Sequence, residues 1–138
     1  MKKEIIIRNE ISQLERVASF VTEMGQELHL GGELQMNLNL VLEEMVSNII
    51  RYGQQPADGS IGLKAESDGS KITLTLTDQG REFDPTQTGN LDTNVNPAER
   101  KTGGAGIFIV KNLMDSMTYR RQNGRNVVTL VKGLKVKG

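Results

Sequence analysis

The sequence contains no cysteine and no tryptophan, and it has only one histidine, His29. Without cysteine, the chain forms no disulfide, no thiolate nucleophile and no cysteine-ligated metal centre. A single histidine also excludes a multi-histidine metal site and a catalytic triad built on histidine and its partners. Because His29 lies just before the pair Gly31-Gly32, we expect it at a helix end or on the surface.

The chain also lacks an excess of either charge and any long apolar run. Seventeen basic and 17 acidic residues give a formal net charge of +0, so there is no positive field to hold a polyanion, and we expect no nucleic-acid partner. No segment approaches the roughly 20 apolar residues of a membrane span, and the N-terminus, MKKEIII, does not read as a signal peptide. We therefore expect no membrane association and a cytoplasmic location. A length of 138 residues fits a single domain, residues 1–138.

The first part of the chain predicts a strand followed by a helix. Ile5 to Ile7 form a β-branched run between charged residues, which favours a strand. From about Glu10 to Leu28, apolar residues recur three and four positions apart, the spacing of an amphipathic helix. Ser12 with Glu15 predicts a capping box at its start, and Gly31-Gly32 then interrupts the chain.

The next stretch, Leu38 to Gly53, predicts an unusual second helix. At about 100° per residue, six apolar residues share one broad arc that should face the core: Leu38, Leu42, Met45, Val46, Ile49 and Ile50. Glu44 and Asn48 lie on the border of this arc, one turn apart, so their side chains stack. Burying a carboxylate is costly unless a partner offsets its charge, so the pair indicates a functional site. The alternative is an ordinary solvated boundary between core and surface.

The remaining sequence predicts two hairpins separated by a polar segment and a third helix. Alternating apolar residues flank the turns Asp68-Gly69 and Asn123-Gly124. Residues from about 84 to 102 are poor in apolar side chains, and we interpret them as a lid. The apolar positions of the third helix are Ile107, Ile109, Val110, Leu113, Met114 and Met117. The order β, α, α, ββ, lid, α, ββ predicts an α+β two-layer sandwich with the helices on one face of a sheet.

Two residues at the end of the first hairpin are suited to contact the base of a nucleotide. Asp78 ends a predicted strand, and its carboxylate only accepts hydrogen bonds, which suits the exocyclic amino group of adenine. Gly80 has no Cβ to obstruct a base. A simple turn at the end of a strand is the alternative reading of this pair.

The glycines at positions 103, 104 and 106 precede the third helix, whose unpaired N–H groups attract phosphate. The motif lacks the Gly-Lys-Ser/Thr ending of a Walker loop, and a plain helix entry is the alternative. Asn48 could supply one oxygen to Mg²⁺, which usually takes few protein ligands and completes its shell with phosphates and water. Glu44 could then polarise an attacking hydroxyl or water.

In order and spacing, these motifs resemble the ATP-binding superfamily of gyrases and histidine kinases, the Bergerat fold. The segments that carry the resemblance are the Glu44–Asn48 helix, Thr77-Asp78-Gln79-Gly80, Phe83-Asp84-Pro85 and Gly103-Gly104-Ala105-Gly106. The sequence looks closest to the stand-alone branch, the anti-sigma-factor serine/threonine kinases. This resemblance implies a helix layer on a mixed, mostly antiparallel sheet. It also implies a homodimer that binds a sigma factor and uses ATP with Mg²⁺ to phosphorylate an antagonist protein.

The resemblance also implies individual roles. Glu44 matches the catalytic base, Asn48 the magnesium ligand, Asp78 the adenine-binding acid and Gly80 its companion. Gly104 and Gly106 match the phosphate-side glycines, and Gly103 and Ala105 of the same motif are further candidates for cofactor binding. Many relatives have a basic residue just before this motif to meet the γ-phosphate, and here the slightly earlier Arg100 or Lys101 could serve. Two positions depart from the pattern: Tyr52 stands where many relatives have histidine, and Thr102 where many have a basic residue.

Two other functions remain open at this point. One is a binding module in which ATP changes affinity for a protein partner without phosphoryl transfer. The other, a detached catalytic domain of a histidine kinase, fits poorly because the chain has no helix bearing a phospho-accepting histidine.

Overall fold

Apolar patterning with a period of two alternates with helical patterning along the chain, and the elements of the computed structural model follow that alternation. The structure describes residues 1–87 and 104–134. Its strands are β1 (Lys2–Arg8), β2 (Ser60–Ser67), β3 (Lys71–Asp78), β4 (Ser116–Gln122) and β5 (Arg125–Gly133). Its helices are α1 (Leu14–Glu27), α2 (Gly32–Tyr52) and α3 (Gly104–Leu113). Short 3₁₀ turns also occur at Ile11–Gln13 and Pro85–Gln87.

The five strands form one sheet in the order β1-β2-β3-β5-β4, and each neighbouring pair is antiparallel. Two helices lie between β1 and β2, so the chain re-enters the sheet in the opposite direction. Strands β3 and β4 run the same way, because each is antiparallel to β5, which lies between them; α3 is the one α-helix described in the connection from β3 to β4. The predicted α+β sandwich is confirmed. The mixed sheet is corrected to an antiparallel one within the described residues.

The core lies between one face of the sheet and the helices. In β3, the residues Ile72, Leu74 and Leu76 are buried, while the threonines between them are partly exposed on the other face. Helix α2 packs between α1 and α3. Since fully burying a leucine or isoleucine side chain contributes about 1.5–3 kcal/mol, this layer supplies the main stabilisation of the fold.

Helix α2 begins at Gly32, six residues before the predicted stretch, with Gly31 as an extended N-cap. Five of the six predicted core residues are buried and Ile50 is partly buried, while Val41 is an additional buried residue. The predicted apolar arc is thus confirmed. Its C-terminal half carries Glu44 and Asn48 towards one end of the sheet.

Two local predictions are wrong. The chain makes a 3₁₀ turn before α1, whose N-cap is Gln13 without a side-chain cap bond, so Ser12 and Glu15 form no capping box. The buried Gln13 Oε1 instead accepts bonds from Arg8 N at 3.1 Å and from Arg16 Nη1 at 3.2 Å. Met117 belongs to β4, because α3 ends at Leu113.

Both predicted hairpin turns are confirmed. Gly69 has φ of 91° in the first, and Asn123 and Gly124 have φ of 53° and 75° in the second, as a type I′ turn requires. Of the predicted lid, only residues 84–87 are among those described; the rest lies outside them. In ranges 1–87 and 104–134, no helix is both long enough and apolar enough to cross a bilayer.

Candidate functional site

A cleft opens where the C-terminal half of α2 meets the end of β3. Its open space, counted together with the solvent at its mouth, is about 460 Å³. Its walls combine apolar and polar side chains: Met45, Asn48, Ile49, Tyr52, Gly53, Asp78, Arg81, Phe83, Pro85, Asn126 and Val128. Asn48 and Asp78, which are distant in sequence, therefore share one cavity. The sequence interpretation requires this convergence, because it assigns both residues to one nucleotide-binding site.

Asp78 is the last residue of β3 and is only 5% exposed. Its Oδ1 accepts two hydrogen bonds, from Gly80 N at 2.8 Å and from Asn126 Nδ2 at 3.0 Å. No bond from a described residue reaches its Oδ2. One carboxylate oxygen is therefore fixed by the protein, while the other is open to a donor from a ligand in the cleft.

Asn126 is a site residue that the sequence reasoning missed. It is 4% exposed and lies opposite Asp78 in the pairing of β3 with β5. The alternating sequence pattern predicts a strand from Val127 to Val131, whereas β5 begins two residues earlier, at Arg125. If the predicted strand is extended back to Asn126, this polar side chain falls on the core-facing side, in phase with Val128 and Leu130. A polar residue at a core-facing position is unusual, and it was the available signal for a site residue.

Backbone packing requires a glycine at position 80. A Cβ added here would lie 3.0 Å from the carbonyl carbon of Gly53 and would collide with its oxygen. That oxygen accepts a bond from Arg81 N at 2.8 Å, and Gln55 Oε1 accepts one from Gln79 N at 2.8 Å. The loop after α2 is thus bound to the loop after β3. Gly80 shapes the cleft without lining it.

Arg81 and Phe83 form part of the cleft wall. The Arg81 guanidinium lies 5.7 Å from the centre of the Phe83 ring, and its Nε donates to the Tyr52 carbonyl oxygen at 3.1 Å. Of these three residues, the sequence interpretation used only Phe83 as a motif residue. A role for Tyr52 was not transferred, yet this residue lines the cleft.

Asn48 has an unusual polar atom. Its Oδ1 is buried and accepts no hydrogen bond, the only such side-chain atom in the described part of the chain. A buried acceptor without a partner typically costs about 1–3 kcal/mol. An amide oxygen is a suitable ligand for Mg²⁺, so this atom fits the predicted metal role. Among the described residues, no cluster of three His, Cys, Asp or Glu could hold a metal.

Glu44 lies one turn before Asn48 and is half-buried. Its carboxylate rests against the first turn of α3: a Cβ added at Gly106 would lie 3.2 Å from Glu44 Cδ and would collide with Oε2. No described residue donates a hydrogen bond to this carboxylate. Gly106 therefore permits the acidic group to reach the N-terminal end of α3.

The other predicted phosphate-side residues are only partly located. Gly104 is the first residue of α3 and Ala105 the second. Arg100, Lys101 and Gly103 lie outside the described residues. The structure thus brings Glu44, Asn48, Asp78, Gly80 and Gly106 to one end of the fold.

The environment of Asn126 also affects one titratable group. Burial raises the pKa of Tyr119, and the nearby Glu82 carboxylate raises it further. Tyr119 therefore remains a protonated phenol near neutral pH. Its hydroxyl donates to Asn126 Oδ1 at 2.6 Å.

Sequence comparison gives a family match over most of the chain. A family model described as the histidine kinase-like ATPase domain matches residues 7–132. The serine/threonine-protein kinase BtrW of Bordetella bronchiseptica is 26% identical over 98 residues, which cover 70% of this chain and 69% of BtrW. The serine-protein kinase RsbW of Staphylococcus epidermidis is 28% identical over 102 residues, covering 70% of this chain and 64% of RsbW. The match thus spans about two thirds of the length of these relatives.

Structural comparison gives the same fold. A chain of the SiaB–SiaC complex from Pseudomonas aeruginosa superposes with a TM-score of 0.61 at 13% identity, covering 96% of this chain and 89% of that chain. The catalytic domain of the histidine kinase ThkA superposes with a TM-score of 0.57 at 12% identity, covering 96% and 97%. At such identities the likeness concerns the fold alone.

Proposed function

Because this chain belongs to the histidine kinase-like ATPase domain family, we propose that it is an ATP-dependent serine/threonine protein kinase that acts as an anti-sigma factor. Two similar curated proteins are named serine or serine/threonine kinases, which supports phosphorylation of a hydroxyl group. The observation that carries the proposal is the single cleft shared by Asn48 and Asp78, with Glu44 one helical turn from Asn48.

The base of the nucleotide occupies the Asp78 end of the cleft in this proposal. Asp78 Oδ1 already accepts two bonds from the protein, so Oδ2 is the acceptor for the exocyclic amino group of adenine. Gly80 contributes by holding the loop that forms this end, and Arg81 with Phe83 provides a wall on which a purine can stack.

The triphosphate extends towards Asn48 and the start of α3. Asn48 Oδ1 is the protein ligand for Mg²⁺, since the oxygen is buried and has no other partner among the described residues. Bound Mg²⁺ neutralises phosphate charge and polarises the transferred group. The unpaired N–H groups of Gly104, Ala105 and Gly106 face the phosphates, with Gly103 before them. We assign the γ-phosphate contact to Arg100 or Lys101, the basic residues that lie just before Thr102, where many relatives have a basic residue.

Glu44 is the proposed catalytic residue. Its carboxylate has no hydrogen-bond donor among the described residues and lies beside the N-terminus of α3. From there it can orient the serine or threonine hydroxyl of a protein substrate and accept its proton.

The proposed partners follow from the family resemblance. They are a sigma factor that the protein sequesters, and an antagonist protein that it phosphorylates on serine or threonine. We also propose a homodimer and a cytoplasmic location, where ATP is available.

Incubation with γ-³²P-labelled ATP, Mg²⁺ and candidate antagonist proteins tests this function. We expect label on the antagonist that survives acid, as phosphoserine and phosphothreonine do and phosphohistidine does not. Acid-labile label would instead indicate a histidine kinase domain. Binding of ATP without any transfer, together with ATP-dependent release of a partner, would indicate the regulatory binding module.

A further inference from the structure

Asn126 occupies the centre of a hydrogen-bond network behind the cleft. Its Nδ2 donates to Asp78 Oδ1 at 3.0 Å and to the Arg81 carbonyl oxygen at 2.7 Å. Its Oδ1 accepts from Tyr119 Oη at 2.6 Å, from Arg121 Nη1 at 3.1 Å and from Phe83 N at 3.3 Å. One side chain therefore joins the end of β3, the loop after it and strand β4.

The network fixes the orientation of the amide. Three donors converge on Oδ1 and two acceptors on Nδ2, so a flipped amide would place its hydrogens against three other donors. Both amide hydrogens are used, and one of them is committed to Asp78. An aspartate at this position would have the same size but would present a second carboxylate to Asp78.

We infer that Asn126 is a positioning residue that holds the Asp78 carboxylate with Oδ2 towards the cleft, and thereby sets selectivity for a purine with an exocyclic amino group. It touches no reacting atom and acts through Asp78. The inference rests on the proposed function, because it assumes that the base of ATP occupies this end of the cleft.

Arg121 supports the same arrangement from the outside. Its Nη1 also donates to the Gly80 carbonyl oxygen at 2.8 Å, so it holds the loop and Asn126 together. The residue is exposed overall, and replacing it with methionine keeps the aliphatic stem while removing the donors. Arg121→Met thus loosens the network without emptying a buried position.

Calorimetric titration with two ligands separates positioning from simple stability. One ligand is Mg²⁺-ATP, and the other is Mg²⁺-purine riboside triphosphate, which lacks the exocyclic amino group. For Asn126→Asp we expect ATP affinity to fall about tenfold or more, since a hydrogen bond to a charged group is worth about 1.5–3 kcal/mol. Affinity for the analogue should stay within about twofold, so the preference for ATP is lost. Arg121→Met should reduce the preference for ATP by about threefold. The effect is smaller because the lost hydrogen bond is to Asn126 and not to Asp78 itself.

Asn112→Asp is the matched control. Asn112 is exposed on α3, where its Nδ2 donates to the Phe108 carbonyl oxygen at 2.9 Å, so the same substitution leaves the cleft intact and should keep the preference for ATP.

If Asn126→Asp fails to fold, Arg121→Met carries the test alone. An unchanged preference in the folded Asn126 variant, or in Arg121→Met when only that variant folds, would overturn the inference. An equal fall for both ligands would also overturn it, because that is a purely structural effect. A wild type that binds neither ligand would instead refute the proposed function, and the inference with it.

Discussion

The two ends of the cleft differ in how far the protein satisfies its own polar groups. At the Asp78 end, Asp78 Oδ1 and the whole amide of Asn126 are hydrogen-bonded within the fold. At the other end, Asn48 Oδ1 is buried without a partner, and no described residue bonds to the carboxylate of Glu44. The first end is organised before a ligand arrives, while the second presents groups whose partners a ligand must supply.

This contrast has a physical rationale. Recognition of a base benefits from fixed acceptors, because a rigid site loses little entropy on binding and rejects the wrong hydrogen-bond pattern. The other end must accommodate a metal, phosphates and an incoming hydroxyl that change during transfer. Groups left unpaired in the free protein destabilise it slightly but become satisfied in the complex. Substitutions should therefore weaken function at both ends, but they should lower the stability of the free protein only at the Asp78 end.

The largest expected effect is at Glu44. With Glu44→Gln, the rate of phosphoryl transfer should fall by about 10²–10⁴, the usual contribution of a positioned base, because the amide cannot accept the proton. ATP affinity should change by less than about threefold, since the substitution preserves size and lies away from the base end. Single-turnover transfer and equilibrium binding provide the two measurements. If Glu44→Gln retains the wild-type rate of phosphoryl transfer, Glu44 is not the catalytic base.

Asp78→Asn should lower ATP affinity by about 100-fold. The amide keeps the size of the carboxylate, but it replaces one acceptor with a donor that faces either Asn126 Nδ2 or the amino group of the base. ADP affinity should fall equally, because the lost contact is to the base. Titration of both nucleotides measures this, and an effect on ATP alone would relocate Asp78 to the phosphate end.

The third prediction compares the two asparagines in the absence of nucleotide. Asn126→Ala should lower the free energy of unfolding by about 2–3 kcal/mol, since it leaves the buried carboxylate of Asp78 and part-buried groups of Arg81 and Tyr119 without their bonds. Asn48→Ala should leave it unchanged or raise it by up to about 1 kcal/mol, because it deletes an acceptor that is already unpaired. Urea denaturation monitored by circular dichroism compares them. Equal losses would contradict the difference between the two ends.

The sequence was sufficient for those features of the site that depend on local periodicity. The helical phase of α2 placed Glu44 and Asn48 on the border of the core, and the strand pattern placed Asp78 at the end of β3, as the structure has them. Asn126 was missed because its importance depends on the pairing of β3 with β5, which joins residues 48 positions apart. No window along the sequence contains that contact.

Gly80 and Gly106 also show that contacts between elements distant in sequence are not visible in the sequence itself. Gly80 and Gly106 were singled out from the sequence, but the reasons the structure gives for them are new. Gly80 makes room for the carbonyl group of Gly53, and Gly106 makes room for the carboxylate of Glu44. Both neighbours come from α2 or its C-terminal end, so their approach follows from the packing of elements and not from either glycine motif.

The smallest expected effect distinguishes a metal ligand from a direct nucleotide contact. Wild-type protein should bind ATP more tightly with Mg²⁺ than without it, and Asn48→Ala should remove that difference, with a loss of about tenfold or less in the presence of the metal. The loss is modest because phosphates and water supply most of the coordination of Mg²⁺. Affinity for ATP in EDTA should be the same in both proteins, since Asn48 then has no metal to bind. Titrations with Mg²⁺ and with EDTA give the four affinities, and a parallel fall in both conditions would mean that Asn48 contacts the nucleotide itself.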